Sequence, residues 1–319
     1  DVRDGVRSAV HGQPFLIVRD HTPAMAALVE RTLGRGSWDA VHADQLWMAP
    51  YAEQPRPGLV RVLDQHNAVF RIPAQLADRQ PNPVLRRLLR WESSKLERFE
   101  RATLDRFDRV VWVTGEDRSA LRHGGDRGRD DFLIPIAIDP SDHQPLVRER
   151  PFRVTFLGGI HWPPNAEAVR WFADRVWPRV TAEVPGAVFT VIGKGNAGLM
   201  RGASRIETTG YVADPSSLLA ETAVFVVSLL AGAGMRVKIL EAWCRALPVV
   251  STSIGAEGLR AVHGENLLLA DEPAAFADHV VRLIQSGSEA ARLGANGRST
   301  VESFYDWRTV YKAWDQIYR

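Results

Sequence analysis

The stretch that decides the fold runs from Val224 to Gly258 and reads VFVVSLLAGAGMRVKILEAWCRALPVVSTSIGAEG. An apolar, β-branched run ends at Leu230, and a glycine-rich turn follows it. A helical pattern then starts near Met235, and a second β-branched run begins at Pro248. Two buried apolar runs with a helix between them are typical of a parallel βαβ unit.

The same alternation extends in both directions along the chain. Strands are predicted at Phe15–Val18, Ala40–His42, Val60–Leu63, Arg109–Val113, Phe132–Ile134, Arg153–Leu157, Val188–Ile192, Val224–Leu229 and Pro248–Thr252. Helices are predicted at Thr22–Leu33, Pro83–Leu104, Asn165–Val180, Pro215–Glu221, Val237–Ala246 and Ala274–Gln285. Regular alternation of strands and helices predicts an α/β, doubly wound, Rossmann-like architecture with parallel sheets.

The length of 319 residues predicts about two domains. The segment from Asp139 to Arg150 is rich in prolines and charged residues and has no apolar periodicity, which indicates a linker. We therefore expect an N-terminal domain over 1–140, a linker over 141–152, a C-terminal domain over 153–303 and a docking helix over 304–319. The first domain is short, as though its opening strand and the loop after it were absent.

The composition excludes several classes of protein. The net charge of +2 is too small to indicate nucleic-acid binding. The single cysteine, Cys244, excludes both a disulfide framework and a cysteine-cluster zinc site. No run approaches the roughly 18 apolar residues of a membrane span, and no signal peptide is visible. A cytoplasmic protein fits these features.

Three glycine-rich turns follow predicted strands, at Gly158-Gly159, at Gly193-Lys194-Gly195 and at Gly232-Ala233-Gly234. Turns at the carboxyl ends of parallel strands are where open α/β sheets bind ligands. Glycine lets the backbone approach a phosphate, and a helix N-terminus offers free N–H groups. A tight turn without a ligand is the alternative at each position. Two of the four lysines, Lys194 and Lys238, lie at these turns, which favours a nucleotide phosphate.

Lys238, Glu241 and Arg245 form one polar stripe on the helix that follows Gly234. The stripe is either a surface row in which Glu241 pairs with Arg245 or part of a crevice, with Lys238 on a phosphate and Glu241 accepting from ribose hydroxyls. His66 follows a strand and is a candidate for chemistry, although a lone histidine is more often structural. The pattern over 83–104 favours a solvated helix face, with weak peripheral membrane contact as the alternative.

These residues resemble the donor-site signature of family 4 retaining glycosyltransferases with the GT-B fold. The likeness is carried by Gly232–Glu241 and by Leu247–Gly258. It continues through Phe156–Gly159, Val191–Gly195, Gly210–Asp214 and Tyr305–Tyr318, so it covers essentially all of 151–319. Asp39–His42, Asp64–Asn67 and Phe107–Val111 resemble the acceptor-side domain more loosely. Members have two facing Rossmann-like domains and a terminal helix that crosses back to the first one.

The resemblance implies a role for each matching residue. Glu241 matches the acid on the ribose, and His66 matches a histidine near the reacting sugar. The family's first acid would fall at Ala233 and is missing, so we expect backbone N–H groups of Gly234 and Met235 to substitute for it. The basic pair expected after Gly159 is also missing, and Arg236 and Lys238 would supply its charge. The remaining donor contacts would come from Gly158, Gly159, Lys194, Gly210, Tyr211, Val212 and Gly232.

The resemblance predicts a retaining transferase that moves a sugar from a nucleoside diphosphate sugar, most simply a UDP-sugar, to a hydroxyl acceptor. No Asp-x-Asp cluster or His/carboxylate ligand set is visible in the sequence, so we expect no metal and no resident cofactor. A sugar-nucleotide epimerase, a phosphorylase and a non-catalytic sugar-nucleotide-binding partner are the alternatives. The expected location is the cytoplasm, with the 83–104 helix as a contact to the inner face of the membrane.

Overall fold

The computed structural model describes residues 8, 12–122, 130–146, 152–195 and 205–318, and these fall into two compact units. The first unit comprises the described residues up to Pro135, the loop 233–235 and the described residues from Tyr311 onward. The second unit comprises residues 136–232 and 236–310. Each unit has its own parallel sheet, so the α/β architecture predicted from the sequence is confirmed.

The first unit contains a four-stranded parallel sheet in the order β1-β2-β3-β4. Its strands are Ala40–Asp44 (β1), Val60–Gln65 (β2), Arg109–Trp112 (β3) and Asp130–Leu133 (β4). Its helices are Phe15–Asp20 (α1), Pro23–Arg35 (α2), Ala49–Ala52 (α3), Arg71–Arg79 (α4), Pro83–Leu104 (α5) and Gly115–Leu121 (α6), with 3-10 turns at Leu46–Met48 and Tyr311–Gln316. Leu63, Val110 and Trp112 are buried at the centre of the sheet.

Helix α5 has the bounds that its sequence predicts. The Asn82 side chain caps its N-terminus by accepting from the backbone N–H groups of Val84 and Leu85, and Pro83 occupies the first helical position. Both features are strong start signals, because the cap satisfies N–H groups that have no partner in the helix and proline has no N–H to lose.

The predicted strand Phe15–Val18 is wrong, since these residues lie in helix α1. A four-residue apolar run fits one face of a short helix as well as a buried strand. Here Ile17 packs with Leu46, Val69 and Leu96 in a small cluster of buried side chains, which selects the helix.

The second unit contains a six-stranded parallel sheet in the order β10-β9-β8-β5-β6-β7. Its strands are Arg153–Leu157 (β5), Val188–Ile192 (β6), Ile206–Gly210 (β7), Val224–Val227 (β8), Val249–Ser251 (β9) and Leu268–Leu269 (β10). Its helices are Pro163–Trp171 (α7), Trp177–Glu183 (α8), Ser216–Ala220 (α9), Val237–Cys244 (α10), Ser253–Ala256 (α11), Pro273–Gln285 (α12), Gly287–Phe304 (α13) and Trp307–Val310 (α14), with a π-helical turn at Phe172–Val176 and a 3-10 turn at Pro140–Asp142.

The sequence does not predict β7, β10 or α13. Strand β7 lies at an edge of the sheet and alternates half-buried with exposed residues, so it lacks the apolar run of a central strand. The predicted helix over 304–319 is also divided: α13 ends at Phe304, and a short helix and a 3-10 turn follow it. No helix among the described residues is both long enough and apolar enough to span a bilayer.

Candidate functional site

Three of the predicted donor loops follow adjacent strands of the second sheet. Gly158 and Gly159 follow β5, Lys194 lies in the turn after β6, and Gly210, Tyr211 and Val212 are at and after the end of β7. Because β5, β6 and β7 are parallel neighbours, their carboxyl ends share one edge of the sheet. The Gly193 N–H donates to the carbonyl of Gly210 at 3.0 Å, and the Ile160 N–H donates to the carbonyl of Lys194 at 2.8 Å. These hydrogen bonds join the three loops.

Close packing explains the glycine at position 193. Its φ of +150° lies outside the range that side-chain-bearing residues favour, and a Cβ there would collide with the carbonyl oxygen of Gly158. The two loops therefore approach each other backbone to backbone. The Lys194 side chain is exposed beside them, and 77% of the Tyr211 surface is exposed to solvent.

Lys238 joins this edge of the sheet from the first turn of α10. Its Nζ lies 4.4 Å from the centroid of the Phe156 ring and donates to Asn165 Oδ1 at 3.1 Å. The Asn165 amide in turn donates to the carbonyl of Gly159 at 3.0 Å, so it links the lysine to the glycine loop. Burial, with the neighbouring charge of Arg236, lowers the pKa of Lys238 to about 7. No described carboxylate makes an ion pair with this ammonium.

Arg236 lies at the N-cap of α10 and is buried. The helix therefore begins at Val237, which is the first residue of the predicted helix Val237–Ala246. The Arg236 guanidinium covers Gly232, where a side chain would clash with it, and donates to the carbonyl of Ile254 at 3.3 Å. The first turn of α10 has no acidic residue, so its N-terminal N–H groups and its two cations favour an anion.

The surface ion pair that the sequence allowed between Glu241 and Arg245 is absent from the structure. Arg245 is buried just beyond the end of α10, and its guanidinium donates to the backbone carbonyl of Glu241 at 3.1 Å. The Glu241 carboxylate is half-buried and makes no hydrogen bond or ion pair with any described residue. This arrangement favours the interpretation in which Glu241 accepts hydrogen bonds from a ligand.

In the first unit, His66 lies between two carboxylates. Its Nε2 is 3.0 Å from Asp44 Oδ1 and 3.4 Å from Asp64 Oδ2. The hydrogen bond that His66 donates to Asp64, with the charges of both aspartates, raises the pKa of His66. Asp44 and Asp64 are direct partners in the β1–β2 register. Two carboxylates therefore face one imidazole nitrogen, and both favour the protonated form of His66.

The sequence-based statement that no His/carboxylate set exists is wrong in three dimensions. Asp44, Asp64 and His66 place their ligand atoms within 4.8 Å of one another, which is a possible metal-binding geometry. The set was not recognised because Asp44 and Asp64 are separated by a whole strand–helix connection. The spacings His42-x-Asp44 and Asp64-x-His66 at two strand ends were the available signal, since alternate residues face the same side of a sheet. His42 also hydrogen-bonds the Tyr318 hydroxyl.

The glycine loop at 233–235 differs from the sequence-based expectation. The Gly234 N–H, expected to replace the missing acid at Ala233, instead donates to Asp117 Oδ2 at 2.8 Å. Asp117 is buried in α6 and also accepts from the Thr114 hydroxyl at 2.7 Å. That N–H is therefore already used within the protein. Asp117 could not be identified from sequence because nothing local links it to a loop more than a hundred residues later.

Known proteins resemble this chain in sequence and in fold. Residues 151–286 match the family model of the glycosyl transferases group 1. The sucrose-phosphate synthase of Thermosynechococcus elongatus superposes with a TM-score of 0.74 at 16% identity, covering 93% of this chain and 77% of that one. Anabaena HepE, in complex with UDP and glucose, gives a TM-score of 0.70 at 14% identity and covers 93% and 81% of the two chains. The fold is GT-B.

A sequence relative is a 44.6 kDa protein of the cps region of Klebsiella pneumoniae, which is 28% identical over 171 residues. The match covers 50% of this chain and 44% of that protein, so less than half of the relative is represented. At 14–16% sequence identity, the likeness to these solved structures is a likeness of fold alone. The family match lies in the second half of the chain, which contains Lys238 and Glu241.

Proposed function

We propose that this chain is a retaining, family 4-type glycosyltransferase that moves a sugar from UDP to a hydroxyl acceptor. The observation that carries the proposal is Lys238, a half-buried cation with no carboxylate partner among the described residues. It lies beside the glycine loop after β5 and in the first turn of a helix without acids. An anion such as a diphosphate supplies the charge that this position lacks. UDP is the preferred nucleotide because UDP is bound in the HepE structure.

The other donor contacts follow from this position of the diphosphate. Glu241 is one helical turn beyond Lys238, where its carboxylate accepts from the two ribose hydroxyls. The backbone of Gly210 and Val212 contacts the base, and Gly158, Gly159 and Lys194 contribute at the phosphates. Arg236 adds positive charge near the helix N-terminus, although its guanidinium also holds the carbonyl of Ile254.

The chemistry needs no protein nucleophile. The bond from the anomeric carbon to the diphosphate oxygen breaks, and the acceptor oxygen attacks the same face. The acceptor proton passes to the departing phosphate oxygen. Lys238, Arg236 and the α10 N-terminus stabilise the charge that develops on the diphosphate. Because Asp44 and Asp64 favour the protonated form of His66, its role is to donate a hydrogen bond near the reacting sugar rather than to remove a proton.

We infer that no metal takes part, because Asp44 and Asp64 favour the protonated form of His66, in which Nε2 has no lone pair to offer a metal ion. The reducing cytoplasm fits the single, buried and unpaired Cys244.

One observation favours a second candidate function, that of a non-catalytic sugar-nucleotide-binding protein. Ala233 stands where the resemblance places the family's first acid, and the neighbouring Gly234 N–H already donates a hydrogen bond to Asp117.

A ligand screen followed by product analysis tests the proposal. UDP and UDP-sugars at 100 times their dissociation constants should stabilise the protein by about 2.7 kcal/mol in thermal unfolding, and uridine at the same concentration should stabilise it much less. With the right acceptor, NMR of the product should show the donor's anomeric configuration, and EDTA should leave the rate unchanged. UDP binding without turnover on any acceptor would favour the non-catalytic protein. Inversion at the anomeric carbon would refute the retaining mechanism.

A further inference from the structure

The first two turns of α5 expose an unusual number of apolar side chains. Val84 is 68% exposed, Leu88 51%, Trp91 45% and Leu85 42%. Val84, Leu88 and Trp91 follow the spacing i, i+4, i+7, so they form one stripe along the helix. An exposed apolar stripe on a helix is typical of a surface that contacts a membrane or another protein.

Cations flank the stripe. Arg86, Arg87 and Arg90 are exposed, and no acidic residue occurs between Pro83 and Trp91. Arg90 reaches Asp78 at 3.4 Å, but both side chains are mostly exposed, so water screens this pair. Neither Arg86 nor Arg87 makes an ion pair with any described residue. The first half of α5 therefore carries positive charge next to apolar surface.

The second half of α5 is fixed in the first unit. Leu96, Glu100 and Leu104 are buried, and Lys95 is buried with its ammonium 2.7 Å from Glu92 Oε2. The Glu92 carboxylate also accepts from the Phe15 N–H at 2.6 Å, so this acid is occupied inside the protein and does not offset the arginines. The exposed half of the helix is thus held rigidly by its buried half.

We propose that this α5 face, formed by Val84, Leu88 and Trp91 with Arg86, Arg87 and Arg90, docks on the surface of an anionic lipid bilayer. Short apolar side chains insert into the headgroup boundary, the tryptophan ring sits at that level, and arginines contact lipid phosphates while their stems lie along the apolar region. Charge complementarity selects this occupant, because an ordinary protein groove for an apolar helix would not need three exposed cations on one side, two of them without an ion pair to any described residue. The proposal does not depend on glycosyl transfer.

Vesicle cosedimentation tests the proposal with the whole chain. The protein should bind vesicles of phosphatidylcholine and phosphatidylglycerol, bind pure phosphatidylcholine far more weakly, and dissociate as salt rises. R87E/R90E should weaken partition by at least about 30-fold, from roughly fivefold per basic residue. V84S/L88S should weaken it at low and high salt alike, because it removes inserted apolar area. Trp91 is left unchanged because its ring contacts Lys95.

A matched control separates docking from the general attraction of a basic protein. R170E/R175E makes the same change of charge at exposed positions of the second unit, so it should retain vesicle binding. Equal losses in the two charge variants, equal binding to neutral vesicles, or no binding would overturn the proposal. Self-association that V84S/L88S abolishes, without vesicle binding, would assign the face to a second copy. UDP binding measured by calorimetry in the same variants should not change, which keeps this test separate from the donor site.

Discussion

Lys238 should make nucleoside diphosphate binding consume a proton. Burial and the charge of Arg236 lower the pKa of the free lysine to about 7, against an ordinary value of 10.5. A bound diphosphate restores the pKa toward its ordinary value, because a negative charge within a few ångströms favours the ammonium. At pH 9 nearly all free protein has neutral Lys238, so binding UDP should take up about one proton per complex.

The affinity should fall as pH rises for the same reason. With a free pKa near 7 and a bound pKa restored to its ordinary value of 10.5, the association constant should decrease about 50-fold between pH 7 and pH 9. The terminal phosphate, with a second pKa near 6, is ionised throughout this interval and does not contribute. Titration calorimetry in buffers of different ionisation enthalpy measures both the proton uptake and the affinity.

Two variants and one ligand complete the test. Lys238→Arg keeps its charge at all these pH values, so it should bind UDP with a flat pH profile and no proton uptake. Lys238→Met should bind UDP weakly and without uptake, yet bind uridine about as well as the wild type does. A wild-type affinity that is flat from pH 7 to pH 9, or equal proton uptake in Lys238→Met, would refute the assignment of Lys238 to the diphosphate.

Three further predictions concern Glu241, His66 and Gly234. Glu241→Gln should weaken UDP and UDP-sugar binding alike by about 10- to 100-fold, since a charge-assisted hydrogen bond contributes roughly 1.5–3 kcal/mol; unchanged affinity in calorimetry would contradict a ribose contact. His66→Ala should reduce turnover at least about 100-fold at nearly constant UDP affinity, and wild-type turnover should decline as pH rises past the raised pKa of His66; parallel losses of turnover and affinity would indicate a structural role. Gly234 has φ +75°, and an added Cβ would lie 2.6 Å from the His66 carbonyl oxygen, whereas Gly264 has φ +80° and open space around it. Gly234→Ala should therefore lower the free energy of unfolding in denaturant more than Gly264→Ala does; equal losses of stability would show that the close approach to His66 is unimportant.

The sequence alone determined the architecture of both units. Apolar β-branched runs with helical segments between them fix a parallel α/β arrangement, because each pattern has one way to bury its apolar side. Helix α5 was predicted with its bounds because its cap and its proline are local signals. Lys238 and Glu241 could also be chosen as candidate site residues from the sequence, since both belong to one short motif after a strand. By contrast, Phe15–Val18 was wrong because a four-residue run carries too little periodicity to distinguish a helix from a strand.

Only the tertiary structure decided which residues surround these groups. The parallel register places Asp44 beside Asp64, and this brings two carboxylates to His66 and raises its pKa. The fold also gives Lys238 the Phe156 ring and Asn165 as neighbours, gives the Gly234 N–H to Asp117, and leaves Glu241 without an ion-pair partner among the described residues. Local sequence sets backbone preference and the side on which apolar residues lie. Charge environment depends on groups that are distant along the chain, and only the packing of strands and helices brings those groups within a few ångströms.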